Sequence, residues 1–515
     1  MTTSSLEAPA WFRVETAHRA FWGLAAAHFV LWLAVAVLRA PNPPSDSLEG
    51  LVWGRMWLLD YGQHPFLAPW LTAFVTDLFD VVGWPIYLLS ELAVVTCFWA
   101  VWRVGLQILP AWHAFVAVAL LEGIPLYNIE SDTFNPDVLM LPFWALVVLA
   151  FYRATQEDRL ADWLAAGVFG GLAMLAKYES VLLFVTLALA MATTPQGRLR
   201  LRGPGPYAAL AAGVWLAAPN LYWIATHGFG PVHHALGEMA AADAGAAGAW
   251  TDHLREPVSF LPDQLGRLAP LLILYTPFLR AERLDFWPVA RSNLALLALV
   301  AGAPLALTLL FSLVTGASLI SRWSFPFFSF AGLLLVAWHR PVITPARLKQ
   351  FLILLVALSG LFAAVDTVNL RVGPYFTGKA SYSAYFPGQR VADYVTRAWH
   401  DRYGRPLPYV AGEHHTVVNV VAHAADRPLA YFEWDPAESP WIDEADVRRR
   451  GAAFVGSYRS EADRAAVRDA MVRRWGPLEG ERVVKFQRLT GADVPPVEIW
   501  LAFLPPADAR DGATP

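Results

Sequence analysis

Ala20 to Leu38 runs without a charged residue between Arg19 and Arg39, and runs of this kind recur along the first 366 residues. About 20 such residues cross a bilayer as a helix, because a closed intrahelical hydrogen-bond ladder hides the backbone from hydrocarbon. Further spans are expected near 84–104, 111–127, 136–152, 162–176, 178–193, 206–225, 264–280, 294–315, 322–338 and 350–366. Two are weak: Trp163 to Ala176 ends at Lys177, and the 264–280 stretch carries Arg267. The pattern predicts a polytopic α-helical membrane protein with roughly eleven transmembrane helices. Composition agrees, since 56% of residues are hydrophobic and 16% charged, whereas soluble chains carry about a quarter charged.

Basic residues accumulate on the cytoplasmic side of membrane proteins. With the N-terminus inside, the short inner loops receive Arg153 and Arg159, then Arg198, Arg200 and Arg202, then Arg280, Arg283 and Arg291, then Arg340, Arg347 and Lys349. The long outer segment 41–83 carries one basic residue, Arg55, against Asp46, Glu49, Asp60, Asp77 and Asp80. An odd number of spans with an external tail is the consistent reading, and the first helix reads as an uncleaved anchor. The formal net charge of -4 gives no reason to expect nucleic acid as a partner. A single cysteine, Cys97, excludes an intrachain disulfide and a Cys-rich metal site.

Charge becomes dense only after Ala384. Helix-like segments, Gln389 to His400 and Glu461 to Trp475, alternate there with strand-like runs at Pro408 to Val410, Ala452 to Val455 and Val483 to Phe486. This is an α/β pattern. The expected organisation is therefore a membrane domain over 1–369, containing the external loop 41–83, and an external α/β domain over 370–515. The Ala/Gly-rich stretch 235–249 reads as an external loop.

Polar residues that can do chemistry gather at the external ends of the spans. Asp46 and Glu49, three residues apart, share a helical face and can position a hydroxyl, bind a sugar or hold a cation, or else Asp46 caps a short interfacial helix. Glu130-Ser131-Asp132-Thr133-Phe134-Asn135-Pro136-Asp137 forms a second set. Asp137 enters the membrane there, where a carboxylate needs a partner, solvent or a ligand; Asn135 before Pro136 is suited to cap the helix. Lys177-Tyr178-Glu179 makes an external turn, and Arg322 opens the next external segment. Each cation can snorkel outward or face a phosphate. His233, His234 and His253 lack a third ligand at usable spacing. The chain has no Walker lysine motif and no dinucleotide-binding glycine pattern after a strand, so its substrate is expected to arrive already activated.

The order and common side of these motifs resemble the bacterial GT-C glycosyltransferases that use polyprenyl-phosphate sugars. The resemblance rests on the first-loop acid Asp46; Tyr61-Gly62-Gln63-His64-Pro65 with Ala68-Pro69-Trp70-Leu71; Asn135-Pro136-Asp137; Gly171 to Tyr178; Pro219-Asn220-Leu221-Tyr222-Trp223; and Arg322-Trp323-Ser324-Phe325-Pro326. The family includes the aminoarabinose transferase of lipid A, rhizobial lipopolysaccharide galacturonosyl transferases and, more distantly, protein mannosyltransferases. The resemblance implies a GT-C fold over about 20–370, a periplasmic α/β domain, residence in a bacterial inner membrane, and inverting transfer of a sugar from a polyprenyl-phosphate donor to a lipid or glycan acceptor. It implies Asp46 as the catalytic residue and substrate contacts at Glu49, Arg55, His64, Asp132, Asp137, Lys177, Tyr178 and Arg322. A divalent cation held by Asp46, Glu49 and Asp137 is the one cofactor candidate. The sequence departs from the family where Asp46-Ser47 replaces the usual Asp-Glu pair and where Gln63-His64-Pro65-Phe66 replaces Asp-His-Pro-Pro. A polyprenyl-linked glycan flippase and a non-catalytic membrane scaffold are the alternative readings; a flippase would spread charge through a central cavity.

Overall fold

The structure, a computed structural model, describes residues 14–228, 230–231, 251–284, 287–458 and 460–511. His233, His234 and the 235–249 stretch lie outside the described residues. The chain divides into two compact units: Met1–Val35, Trp57–Ala68 and Tyr87–Val365 form the first, and Ala36–Met56, Pro69–Ile86 and Asp366–Pro515 the second.

The N-terminal helices are α1 (Val14–Arg39), α2 (Ser45–Gly54), α3 (Leu67–Phe79), α4 (Trp84–Ile108), α5 (Ala111–Ala119), α6 (Pro136–Glu157), α7 (Leu160–Ala176), α8 (Val181–Thr193), α9 (Pro195–Arg200) and α10 (Gly205–Thr226). Among the described residues six helices are long and apolar enough to cross a membrane: α1, α4, α6, α10, Arg291–Thr315 and Pro345–Arg371. The molecule is a multi-pass membrane protein on this ground. Other expected spans are shorter or broken. The 111–127 stretch bends into 3-10 turns at Leu120–Gly123 and Pro125–Tyr127, where Pro125 cannot continue the α-helical ladder. The 322–338 stretch is a 3-10 turn, Ser321–Ser324, and a nine-residue helix, Ala331–His339. Around 264–280 the helix starts earlier, at Asp252, and runs to Tyr275 through Pro257, Pro262 and Pro270.

Within the first unit α6 is the central helix, buried along most of its apolar window, whereas Pro345–Arg371 turns most of its surface outward. Such exposed apolar faces suit lipid. Helix α7 packs against α6 and α10. Glycine permits the α7–α10 approach: a Cβ on Gly167 would sit 2.1 Å from the Ala209 carbonyl oxygen, and one on Gly171 3.0 Å from that of Gly213. Small residues four apart let two helix backbones meet without a side chain between them.

In the second unit five strands, β1 (Tyr409–Gly412), β2 (Leu429–Phe432), β3 (Ala452–Gly456), β4 (Glu479–Phe486) and β5 (Val497–Leu504), form one sheet in the order β2-β1-β3-β5-β4. β1 pairs in parallel with β2 and β3, while β5 runs antiparallel to β3 and β4. Parallel neighbours need crossovers, and helices His414–His423 and Glu444–Arg450 lie in them. The core holds Tyr431, Phe454, Met471, Trp475 and Trp500. At the end of β1, Gly412 has φ +133° and a Cβ there would meet the Val455 carbonyl oxygen at 1.9 Å, so only glycine fits. Helix α2 packs on His414–His423.

Candidate functional site

Three features of the first unit bring charge to the C-terminal end of α7. Lys177 stands as the C-cap of that helix with an extended backbone, and the 3-10 turn Tyr178–Ser180 follows before α8. Asp137 lies in the first turn of α6, whose start is fixed by Asn135: its side-chain oxygen accepts from the Val138 N–H at 3.1 Å. Pro136 occupies the adjacent position, where a missing N–H costs nothing. The Lys177 ammonium donates to Asp137 Oδ1 and lies 2.9 Å from Glu179 Oε2, with the Trp323 ring 5.7 Å from its nitrogen. The Lys177 and Asp137 side chains are 9% and 10% exposed, so the pair is buried.

Burial works against the ammonium, but the two carboxylates outweigh it and hold the Lys177 pKa above its ordinary value. Burial raises the Glu179 carboxyl, with Lys177 opposing. A second network adjoins in sequence. Tyr178 donates its hydroxyl to Asp60 Oδ1 at 2.6 Å, the Gly62 N–H reaches Asp60 Oδ2 at 2.8 Å, and Asn220 Nδ2 bonds the Leu59 carbonyl at 2.7 Å. Burial pushes the Asp60 carboxyl up, and the Tyr178 and Gly62 hydrogen bonds pull it partly back. Arg267 donates to Glu130 and, at 3.1 Å, to Asp263. Asp132 is buried, and its Oδ1 accepts from the Thr133 hydroxyl at 3.3 Å. His64 is half-buried, its carbonyl accepting the Tyr61 N–H at 3.1 Å; Arg322 is exposed in its 3-10 turn.

Between α6, α7, α8 and α10 lies an almost wholly apolar cavity of about 360 Å³. Phe151, Met174, Val181, Phe184, Val214 and Leu221 are among its lining residues. Met174 and Val181 stand on either side of Lys177 in the chain.

The second unit holds the remaining expected site residues. Asp46 is half-buried in the first turn of α2, where a carboxylate complements the helix dipole. It is not the cap: Pro44 holds that position and no side chain caps the helix. Glu49 Oε1 lies 3.0 Å from His414 Nε2. Arg55 donates to the Ala422 carbonyl at 3.0 Å and to Asp77 at 3.3 Å. Burial lowers His414, but the hydrogen bond and charge of Glu49 outweigh it and raise its pKa. Burial and the Arg55 charge lower His423 to about 4. No cluster of three or more His, Cys, Asp or Glu side chains suited to a metal occurs among the described residues.

Sequence reasoning missed the Asp60–Tyr178–Asn220 network, the Arg267–Glu130 pair and a deeper cluster, His28–Glu91–Glu122. His28 within an otherwise apolar span, and Glu91 and Glu122 in two others, were signals of their own, since ionisable groups are rare in membrane helices.

The fold is of the GT-C class: over 95% of its length the chain matches 98% of the crystal structure of ArnT from Cupriavidus metallidurans bound to undecaprenyl phosphate, with a TM-score of 0.62 at 13% identity. The apo structure of the same protein matches with a TM-score of 0.57 at 15% identity, over the same shares of both chains. Residues 63–223 match the family described as Dolichyl-phosphate-mannose-protein mannosyltransferase. Two proteins of Rhizobium johnstonii are similar in sequence. The lipid A galacturonosyltransferase RgtD is 28% identical over 252 residues, 47% of this chain and 50% of that protein. The lipopolysaccharide core galacturonosyltransferase RgtA is 21% identical over 205 residues, 39% of this chain and 41% of that protein. The chain spans about half the length of the curated relatives it matches. Its fold is like that of ArnT, and its sequence is similar to that of RgtD.

Proposed function

We propose that this chain is a glycosyltransferase that moves a sugar from a polyprenyl-phosphate donor to a lipid or glycan acceptor on the periplasmic face of a bacterial inner membrane, in modification of lipopolysaccharide or another envelope glycolipid. The observation that carries this reading is the buried Lys177 cluster in the turn joining two helices that line an apolar cavity. A polyprenyl phosphate has the matching chemistry, an anionic head on a long apolar tail. ArnT was solved with undecaprenyl phosphate, and RgtD is named for transfer to lipid A.

In this reading the C1–O bond to the carrier phosphate breaks while an acceptor oxygen attacks C1 from the opposite face, with inversion. The electron pair leaves with polyprenyl phosphate. Lys177 has three N–H donors; Asp137 and Glu179 engage two, leaving one for a phosphate oxygen whose charge grows as the bond breaks. Asp46 takes the proton of a hydroxyl acceptor, or orients an acceptor that is already anionic. Glu49, Arg55, His64, Asp132, Asp137, Tyr178 and Arg322 are assigned to donor and acceptor contacts, with 1–369 as the transferase region and 370–515 as a periplasmic domain. The expected cation on Asp46, Glu49 and Asp137 is not part of this reading, since no cluster of three such ligands occurs among the described residues. The N-terminus is cytoplasmic in it, with eleven crossings.

The test is turnover by the purified protein in nanodiscs, offered a panel of polyprenyl-phosphate sugars with candidate acceptors, following free polyprenyl phosphate by mass spectrometry. Acceptor-dependent release that Asp46→Ala abolishes supports the assignment. Undiminished turnover by that variant removes Asp46 from the chemistry, and no release despite carrier binding removes the transferase reading.

A further inference from the structure

We propose that His28, Glu91 and Glu122 form a buried positioning triad that holds the segment 123–137, and with it Glu130 and Asp137, in the geometry the transfer step uses. This role presupposes the transferase reading above. The three side chains come from α1, α4 and the 3-10 turn after α5, and the residues are 2%, 1% and 2% exposed. His28 Nδ1 lies 2.7 Å from Glu122 Oε1, and Nε2 lies 3.4 Å from Glu91 Oε2. The imidazole packs among aromatics, 5.0 Å from the Phe98 ring and 6.5 Å from Trp32. Ionisable groups are expensive at such depth and keep their places only where they answer one another. One imidazole thus hydrogen-bonds Glu122 and stands in charge contact, without a hydrogen bond, with Glu91, linking three elements.

Glu122 is the place where this fixing reaches the external end. Its carbonyl accepts from Asn128 Nδ2 at 2.9 Å, Asn128 Oδ1 accepts the Ile129 N–H at 2.7 Å, and the Asn128 carbonyl accepts the Ser131 hydroxyl at 2.9 Å. The next residue, Gly123, is pressed against another helix: a Cβ there would lie 2.6 Å from Leu271 Cα. Tyr127 donates to the Phe325 carbonyl at 3.0 Å, which ties the segment to the turn containing Trp323. Downstream, Glu130 receives Arg267 and Asp137 receives Lys177. Loosening Glu122 therefore frees the base of a hydrogen-bonded turn that closes at Ser131, from which the chain runs on through 132–136 to Asp137, the Lys177 partner. Catalytic rates respond steeply to small displacements, whereas binding of a long apolar tail does not.

The experiment uses the full chain in nanodiscs with Glu122→Gln and Glu91→Gln, and Trp102→Phe as a destabilised control. Trp102 stacks on Phe21 at 5.0 Å across α1 and α4, outside the path described. Two quantities are read: kcat and KM per folded enzyme, and the rate at which an amine-reactive acylating reagent labels Lys177, followed by peptide mass spectrometry. The triad variants are expected to lose about tenfold or more in kcat with KM for the lipid-linked sugar held within about twofold, and to label Lys177 faster. Trp102→Phe should melt earlier with neither change. Unchanged kcat and labelling in both triad variants, or a Trp102→Phe enzyme that shows the same two changes, would overturn the positioning role. If the wild type transfers no sugar, the transferase reading fails separately. The labelling then decides: faster acylation upholds the hold on Asp137, and unchanged acylation overturns it.

Discussion

Replacing Lys177 with methionine removes one cation from between two carboxylates and leaves a side chain of similar length. Asp137 and Glu179 then face each other in a site where the lysine and Asp137 side chains are 9% and 10% exposed. Breaking a buried ion pair from one side costs about 3–5 kcal/mol, because the abandoned charge is not rehydrated. Lys177→Met is expected at that level. Asp137→Asn leaves the Lys177–Glu179 pair at 2.9 Å intact as a one-to-one contact, and should cost about 1.5–3 kcal/mol, the loss of a charge-assisted hydrogen bond. The double variant should be less destabilised than the sum, with a coupling of about 1–3 kcal/mol. Burial already raises the Glu179 carboxyl, and loss of Lys177 raises it further. The Lys177→Met penalty should therefore shrink as the pH is lowered and the orphaned carboxyl takes up a proton. Reversible unfolding in mixed micelles, run as a double-mutant cycle, measures both quantities. Additivity to within about 0.5 kcal/mol, or a penalty that grows on acidification, would refute the reasoning.

Gly167→Val should separate α7 from α10, since its Cβ would meet the Ala209 carbonyl oxygen at 2.1 Å; a loss of about 1–3 kcal/mol or more is expected, read as a lower melting temperature with the C-terminal sheet unaffected in hydrogen exchange. His423 has its folded pKa lowered to about 4, from an unfolded value of about 6.5. Its contribution is therefore fully present above pH about 6.5 and is lost as the pH falls toward 4, a total of about 3 kcal/mol. Amide exchange across His414–His423 should accelerate over that window, and His423→Gln should flatten the response. His414 runs the other way, its raised pKa giving stability below pH about 6.5 that fades as the pH rises through the folded value; Glu49→Gln should abolish that part of the profile.

Much of the architecture was legible because it repeats along the chain. Uncharged runs of bilayer length, and their basic flanks, need no tertiary contact to be seen, and α1, α4, α6, α10, Arg291–Thr315 and Pro345–Arg371 follow from them. The tail helix Glu461–Trp475 ends where its periodicity ends, and strands β1, β3 and β4 fall on the runs expected. β2 and β5 were not foreseen: each is an apolar run whose pairing depends on neighbours far away in the chain. The stretches 111–127 and 322–338 have the composition of spans, but the first is broken at a glycine and a proline and the second at hydrogen-bonded serines.

The sequence by itself marked Asn135 as suited to cap a helix opened by Pro136, which the structure bears out, and required a partner, solvent or a ligand for Asp137, which enters the membrane just behind. Both are local: one follows from a hydrogen bond three residues long, the other from the cost of an unpaired charge in hydrocarbon. Only the tertiary structure decided that the partner is Lys177, that Glu49 meets His414, and that His28 stands between Glu91 and Glu122. These contacts join residues 40 and more positions apart, and many acids and bases along the chain would satisfy the same charge requirement. Which of them meet is set by how apolar helices and strands pack, and that packing spends no charge at all.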